Sequence, residues 1–209
     1  MSNLEKVLVL APHTDDGEFG CGGSIAKFVE HGCEVNLVAF STCEESVPAH
    51  LPKDILAIEA KKSAKKMGIK NLVLLNYKVR YFSENRQAIL EDMVKLRKQF
   101  DPTLVLMPNS NDIHQDHQAI HNEGKRAFKT TKMLGYELPW NNFTMTTNFH
   151  TVLTESQVQK KIDAVKCYES QAHRDYYSDE FVKSLAYTRG TQVGVHYAEA
   201  FEVIRWINF

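Results

Sequence analysis

Lys6-Val7-Leu8-Val9-Leu10-Ala11 is an unbroken apolar run of strand length that stops abruptly at Pro12-His13-Thr14-Asp15-Asp16. A strand with no polar face has no side to show to water. It belongs inside a sheet covered on both faces, which is the condition of parallel sheets in α/β proteins. Comparable runs recur at residues 34–40, 71–75 and 103–107. Amphipathic stretches of helical length separate them. Residues 24–31 read as a helix that follows a glycine-rich turn and ends at Gly32. Residues 54–67 stop at Gly68. Residues 83–100 open on a capping pattern, Ser83 followed by Arg86 and Gln87, and break at Pro102.

Four such alternations predict an α/β fold: a Rossmann-like, mostly parallel sheet flanked by helices and joined by right-handed crossovers. Beyond Tyr136 the pattern loosens. Residues 149–153 read as one more strand, and residues 155–168 and 179–186 as helices. Residues 197–206 are apolar enough to bury but too mixed to type. No repeat, low-complexity tract or linker interrupts the chain, so residues 1–209 are expected to form a single domain. At 209 residues, with 43% hydrophobic and 24% charged side chains, a sizeable core is affordable, and disordered, collagenous and disulfide-scaffold classes are excluded. A formal net charge of −1 provides no basic excess for nucleic acid. The cysteines Cys21, Cys33, Cys43 and Cys167 form no C-x-x-C pair, which removes zinc-ribbon and thioredoxin-type readings and suits free thiols in a reducing cytoplasm. Met1-Ser2-Asn3-Leu4-Glu5-Lys6 contains no leader-length apolar segment, and no window approaches the ~18 apolar residues of a membrane span.

The chemistry gathers at two strand ends. After the first strand stand His13, Asp15 and Asp16, followed by Gly17, Gly20, Gly22 and Gly23. A dinucleotide loop fails on spacing, because Gly20 and Gly22 leave Ile25 in the third glycine place. It fails on charge too, since Asp15, Asp16 and Glu18 would face a pyrophosphate. An acidic turn with one imidazole suits a cation. After the fourth strand comes Asp112-Ile113-His114-Gln115-Asp116-His117. His114 and His117, three apart, share a face on a helical turn. Two imidazoles and a carboxylate drawn from both loops would make the three-ligand set of a catalytic zinc. Both loops lie at the carboxyl edge of a parallel sheet, where ligands bind in open α/β folds.

At these residues the sequence resembles the PIG-L/LmbE-like deacetylase family, zinc-dependent enzymes that remove acetyl groups from N-acetylglucosamine-type sugars. The first family motif, (A/P)-H-P-D-D-E, stands here as Pro12-His13-Thr14-Asp15-Asp16-Gly17, with Thr14 and Gly17 as departures. The second, H-x-D-H, is met in full by His114-Gln115-Asp116-His117. Tyr197-Ala198-Glu199-Ala200-Phe201 and Ser170-Gln171 add to the likeness. Where many members carry an Arg three residues before a helical Glu, here Glu59, this chain has Leu56; Lys53 or Arg80 is then a candidate to take over that charge.

The resemblance implies His13, Asp16 and His117 as metal ligands. It implies Asp15 as general base and His114, in protonated form, as donor to the oxyanion, with Asp116 orienting His114. Zinc is the expected ion, and Fe²⁺, Mn²⁺ or Co²⁺ suit the same donors. Trp140, Asn141 and Asn142 offer a stacking face and amides to a pyranose. Arg80, Arg189, Lys53 and Arg174 are candidates for an anionic handle, with His173 beside them, and His196 is a candidate pocket residue. The expected partner is a small soluble N-acetylated sugar conjugate, with no nucleic acid; self-association is left open by the sequence. The competing expectations are another metallohydrolase acting on an ester or amide, and a non-catalytic sugar- or nucleotide-binding protein of the same fold.

Overall fold

The computed structural model describes residues 6–207; residues 1–5, on which the expectation of no leader rests, lie outside the described residues. Five strands run parallel: β1 (Lys6–Ala11), β2 (Glu34–Ala39), β3 (Asn71–Leu74), β4 (Leu104–Pro108) and β5 (Lys132–Tyr136). Two more, β6 (Phe149–Leu153) and β7 (Tyr197–Arg205), complete one seven-stranded sheet in the order β3-β2-β1-β4-β5-β7-β6. β7 is antiparallel to both of its neighbours. The expected α/β architecture is the one observed.

Alternate side chains of β1 feed opposite cores, which is why its run is continuous. Val7 and Val9 pack with α1 (Asp16–Glu30) and α5 (Glu155–Val165). Leu8 and Leu10 pack with α3 (Arg86–Phe100) and α4 (Gln115–Ala127). The helix α2 (Ile55–Met67) lies beside α5, and α6 (Asp179–Thr191) packs on β7. All four β1 side chains are fully buried, each stabilising the fold by ~1.5–3 kcal/mol. Among the described residues no helix is long and apolar enough to cross a membrane. Cys21, Cys33, Cys43 and Cys167 are free thiols.

The glycine-rich stretch after β1 is helical, not a turn: α1 begins at Asp16 instead of residue 24. A Cβ at Gly20 would overlap the ring of Tyr136, so glycine lets the helix lie directly on β5. Gly20→Ala is therefore expected to lower stability by ~1–3 kcal/mol through overpacking, read as a lower denaturation midpoint at unchanged slope. The helix is kinked at Cys21, whose φ is −147°. Past the kink the amides of Gly23 and Ser24 donate to the Glu199 carboxylate at 2.9 and 2.7 Å, and the Lys161 ammonium donates to the same group at 2.7 Å. This is the work of the Tyr-Ala-Glu-Ala-Phe segment. The capping pattern at Ser83 is not used: residues 82–85 form a single 3-10 turn and α3 starts at Arg86 with no side-chain cap. Buried Phe82 holds that turn instead, its amide donating to Asp116 at 3.3 Å.

Candidate metal centre and active site

β1 and β4 are neighbours in the sheet although nearly a hundred residues separate them in sequence. Here the strand order reverses, and the crevice beyond the strand ends is the place where doubly wound sheets bind ligands. Residues 12–15 leave β1 and enter α1, while residues 109–114 leave β4 and enter α4. Their side chains converge. His13 Nδ1, Asp16 Oδ2 and His117 Nε2 stand 3.2 Å from one another on all three sides of a triangle.

What lies behind the triangle defines it. His13 Nε2–H donates to Asp116 Oδ2 at 3.1 Å, and His117 Nδ1–H donates to Asp112 Oδ2 at 2.7 Å. A neutral imidazole has one N–H, so each ring turns its lone pair inward. Asp16 Oδ2 is steadied by the His13 amide at 2.8 Å. With both rings neutral, two lone pairs and one carboxylate oxygen share a focus suited to a cation. Bonds of about 2.0–2.1 Å put tetrahedral ligand atoms about 3.3–3.4 Å apart, and octahedral ones about 2.8–3.0 Å apart. The 3.2 Å triangle lies between the two and nearer the tetrahedral spacing.

His114 also lies close, its ring nitrogen within 4.8 Å of those of His13 and His117. Its Nδ1, however, accepts the Asp116 amide at 3.1 Å, so the proton sits on Nε2 and the ring presents a donor. Burial and the neighbouring rings of His117 and His13 bring its pKa down to about 4. The expectation of a protonated His114 is corrected: the neutral tautomer already carries the N–H that an oxyanion needs. Asp116 is corrected too. Its backbone orients His114, while its carboxylate reaches His13 and the amides of Arg80 (2.6 Å) and Phe82.

The centre attracts positive charge. Burial disfavours a charged His117, yet Asp16 and Asp112 outweigh it and raise its pKa to about 10. Burial alone would raise Asp16, but His117 and His13 hold it well below the usual carboxylate range. Asp15 behaves differently: burial and the Asp16 charge push it up to about 6. It occupies the N-cap position of α1 without a side-chain cap bond, so its carboxylate is not engaged by the helix.

A cavity of about 340 Å³ opens over this centre, and Asp15, His114, Arg80, Trp140 and Asn141 are among the residues lining it. One face of Trp140 is already stacked on Tyr176 at 3.8 Å, with Phe19 edge-on to both rings, so it forms part of an aromatic wall. Arg189 does not reach the cavity; it forms a two-pronged pair with buried Glu137, which corrects its assignment to substrate. Asn142 bonds Asn109 and the Leu138 amide, Lys53 bonds the Val47 carbonyl, and His196 packs between Tyr187 and Tyr197. Leu56 lines the cavity as an apolar side chain.

Asp112 is not among the residues expected at the site, although it opens the segment Asp112–His117. An Asp five residues before a candidate ligand His, at the entry to a helix, is the usable signal. Asp112→Asn is expected to weaken cation affinity by ~10–100-fold, measured by competition with a metallochromic chelator. Also unforeseen were Tyr168, which donates to the Thr14 carbonyl at 2.6 Å, and Glu59, which accepts from the Ser170 amide and hydroxyl at 2.9 and 2.6 Å. Tyr168 ties the start of the segment carrying Gln171, His173 and Arg174 to the loop after β1, and Glu59 ties it to α2.

Comparison with known proteins agrees with this architecture. The chain is 24% identical over 227 residues to the diacetylchitobiose deacetylase of Thermococcus kodakarensis, covering 97% of this chain and 84% of that one. It superposes on the N,N'-diacetylchitobiose deacetylase structure from Pyrococcus horikoshii with a TM-score of 0.75 at 24% identity, over 96% of this chain and 84% of the other. It also superposes on GalB, the 4-carboxy-2-hydroxymuconate hydratase from Pseudomonas putida, with a TM-score of 0.80 at 18% identity and 98% coverage of both chains. The sequence pattern of PIG-L, GlcNAc-PI de-N-acetylase, matches residues 8–128, more than half of the chain and all of the metal-centre residues described above. The chain belongs to the PIG-L family.

Proposed function

We propose that this protein is a metal-dependent N-deacetylase that hydrolyses the acetamide of a small N-acetylglucosamine-type sugar conjugate. The observation that carries the reading is the triangle of His13, Asp16 and His117 with a free carboxylate, Asp15, and a neutral N–H donor, His114, beside it. Binding a cation needs the first three residues only. Amide hydrolysis needs the other two.

Zinc is the favoured ion, with Fe²⁺, Mn²⁺ or Co²⁺ fitting the same donors; when bound it supplies a Lewis acid that acidifies water and polarises the acetamide carbonyl. Asp15 takes a proton from the attacking water as the carbon–oxygen bond forms. His114 Nε2–H donates to the oxygen that becomes negative, and being neutral already it needs no proton uptake first. Asp15 then returns its proton to the amine as the carbon–nitrogen bond breaks, which releases acetate and a free amino sugar. The Trp140–Tyr176 wall and Asn141 give the pyranose an apolar face and an amide. Four free thiols suit a reducing compartment, and we place the enzyme in the cytoplasm.

Acetate and free amine are measured on free N-acetylglucosamine, a UDP-linked N-acetyl sugar, an aglycone-linked glucosaminide and chitobiose. Turnover on at least one of them, abolished by a chelator and restored by metal, is the expected outcome. Activity confined to acetylated amino acids or peptides would remove the sugar reading, and full activity in metal-free protein would remove the metal.

A further inference from the structure

The chain has seven arginines, and five of them are engaged. Arg86 and Arg126 pair with Glu123, and Arg189 with Glu137; Arg97 and Arg205 donate to the backbone carbonyls of Ala127 and Lys129. Among the described residues the guanidinium groups of Arg80 and Arg174 make no hydrogen bond or ion pair, and these are the two arginines that line the cavity. The cavity's lining carboxylates, Asp15 and Asp16, belong to the candidate metal centre. Acetamide hydrolysis as derived above uses neither arginine.

The backbone holds both where they are. Arg80 has a φ of +72°, a left-handed conformation that an L-residue adopts at a cost, and its amide is tied to buried Asp116 at 2.6 Å. Of the three non-glycine residues with positive φ among the described residues, Asp101 merely ends α3, whereas Cys43 and Arg80 line the cavity. A glycine would occupy position 80 without strain, and the chain keeps an arginine there. Arg174 closes a turn onto the Gln171 carbonyl at 2.9 Å, in the segment that Glu59 fastens through Ser170.

We propose that the N-acetyl sugar carries an anionic group, a phosphate or a carboxylate, which Arg80 and Arg174 bind from two separate chain segments. Guanidinium is matched to such groups by its planar fork and permanent charge. Because Asp116 holds both the Arg80 amide and the ring of His13, the anion site and the metal centre share one buried carboxylate. The inference rests on the N-deacetylase reading and narrows its substrate.

The test uses the metal-loaded protein and separates binding from turnover. Amine release is measured on N-acetylglucosamine-1-phosphate, UDP-N-acetylglucosamine and a carboxylate-bearing glucosaminide, and on neutral methyl glucosaminide and chitobiose. At least one anionic substrate is expected to exceed the neutral ones in kcat/KM by about tenfold or more, and its identity tells phosphate from carboxylate. Arg80→Gln and Arg174→Gln should each cut that ratio about tenfold, chiefly through KM, and added salt should erode it in the wild type. Arg80→Gly separates side chain from backbone: it accepts the left-handed φ, so Tm is not expected to fall, yet the preference is lost as in Arg80→Gln. Neutral substrates used as well as anionic ones, or variants that slow every substrate alike, would overturn the proposal. Calorimetric binding of N-acetylglucosamine-1-phosphate against N-acetylglucosamine decides the matter without turnover. Tighter phosphate binding with no acetate released would support the anion site and defeat the deacetylase reading alone; equal binding would defeat the anion site.

Discussion

Asp15→Asn is expected to keep its cation and lose turnover by ~10²–10⁴-fold, the range of general acid–base catalysis. Asparagine matches aspartate in shape but cannot take a proton from water. Asp15 belongs neither to the triangle of His13, Asp16 and His117 nor to the carboxylates behind it, so its loss leaves the three candidate ligands in place. Asp16→Asn should do the reverse and release the ion. Metal content by elemental analysis, set beside kcat for each variant, distinguishes the two. The pH profile gives an independent reading. A base works only when unprotonated, so wild-type rate rises with pH through the Asp15 pKa, about 6 in the metal-free chain, and a cation nearby moves that limb to lower pH. Asp15→Asn should lack the limb. A variant that sheds metal and recovers full turnover when metal is resupplied would show that Asp15 is a ligand and not the base.

Glu199→Ala is expected to lower folding stability by ~3–5 kcal/mol, the scale for breaking a buried ion pair from one side. Glu199 and Lys161 are each only 6% exposed. Alanine leaves the ammonium buried without a counter-charge and removes the acceptor of the Gly23 and Ser24 amides past the kink in α1. The double variant Lys161→Met, Glu199→Gln removes the charge from both sides and keeps an acceptor for one amide, so it should be markedly more stable than Glu199→Ala. Urea denaturation of the three proteins checks the order, and a cost below ~1 kcal/mol for Glu199→Ala would show that the pair is not holding the kink.

The parts of this molecule that were legible are those whose cause is local. β1 announced itself because both of its faces are buried, and the two candidate-site loops because each follows a strand. What misled was set by distant partners. Four glycines at ~1 kcal/mol each argue against a helix, and contact with Tyr136 and Lys161, more than a hundred residues on, outweighs that. Residues 197–206 could not be typed because Glu199 and Glu202 break the apolar pattern, and their partners, α1 with Lys161 and Ser110, lie elsewhere in the chain. His-x-Asp-His spacing marks a site but not the direction in which Asp116 points. Arg189 read as substrate-facing because Glu137 stands 52 residues away from it.

β7 sits between β5 and β6, which precede it in the chain. Residues 197–205 therefore enter the sheet from within, and until they are synthesised β6 has no strand to pair with and β5 presents an open edge. An emerging chain has His13, Asp16 and His117 available well before this, since His117 is long since out of the ribosome. It must nevertheless wait for the last strand before the sheet is continuous. Stalled or clipped chains should consequently expose Leu134 and Tyr136 along that edge, and such species are the ones expected to be captured by chaperones or to aggregate.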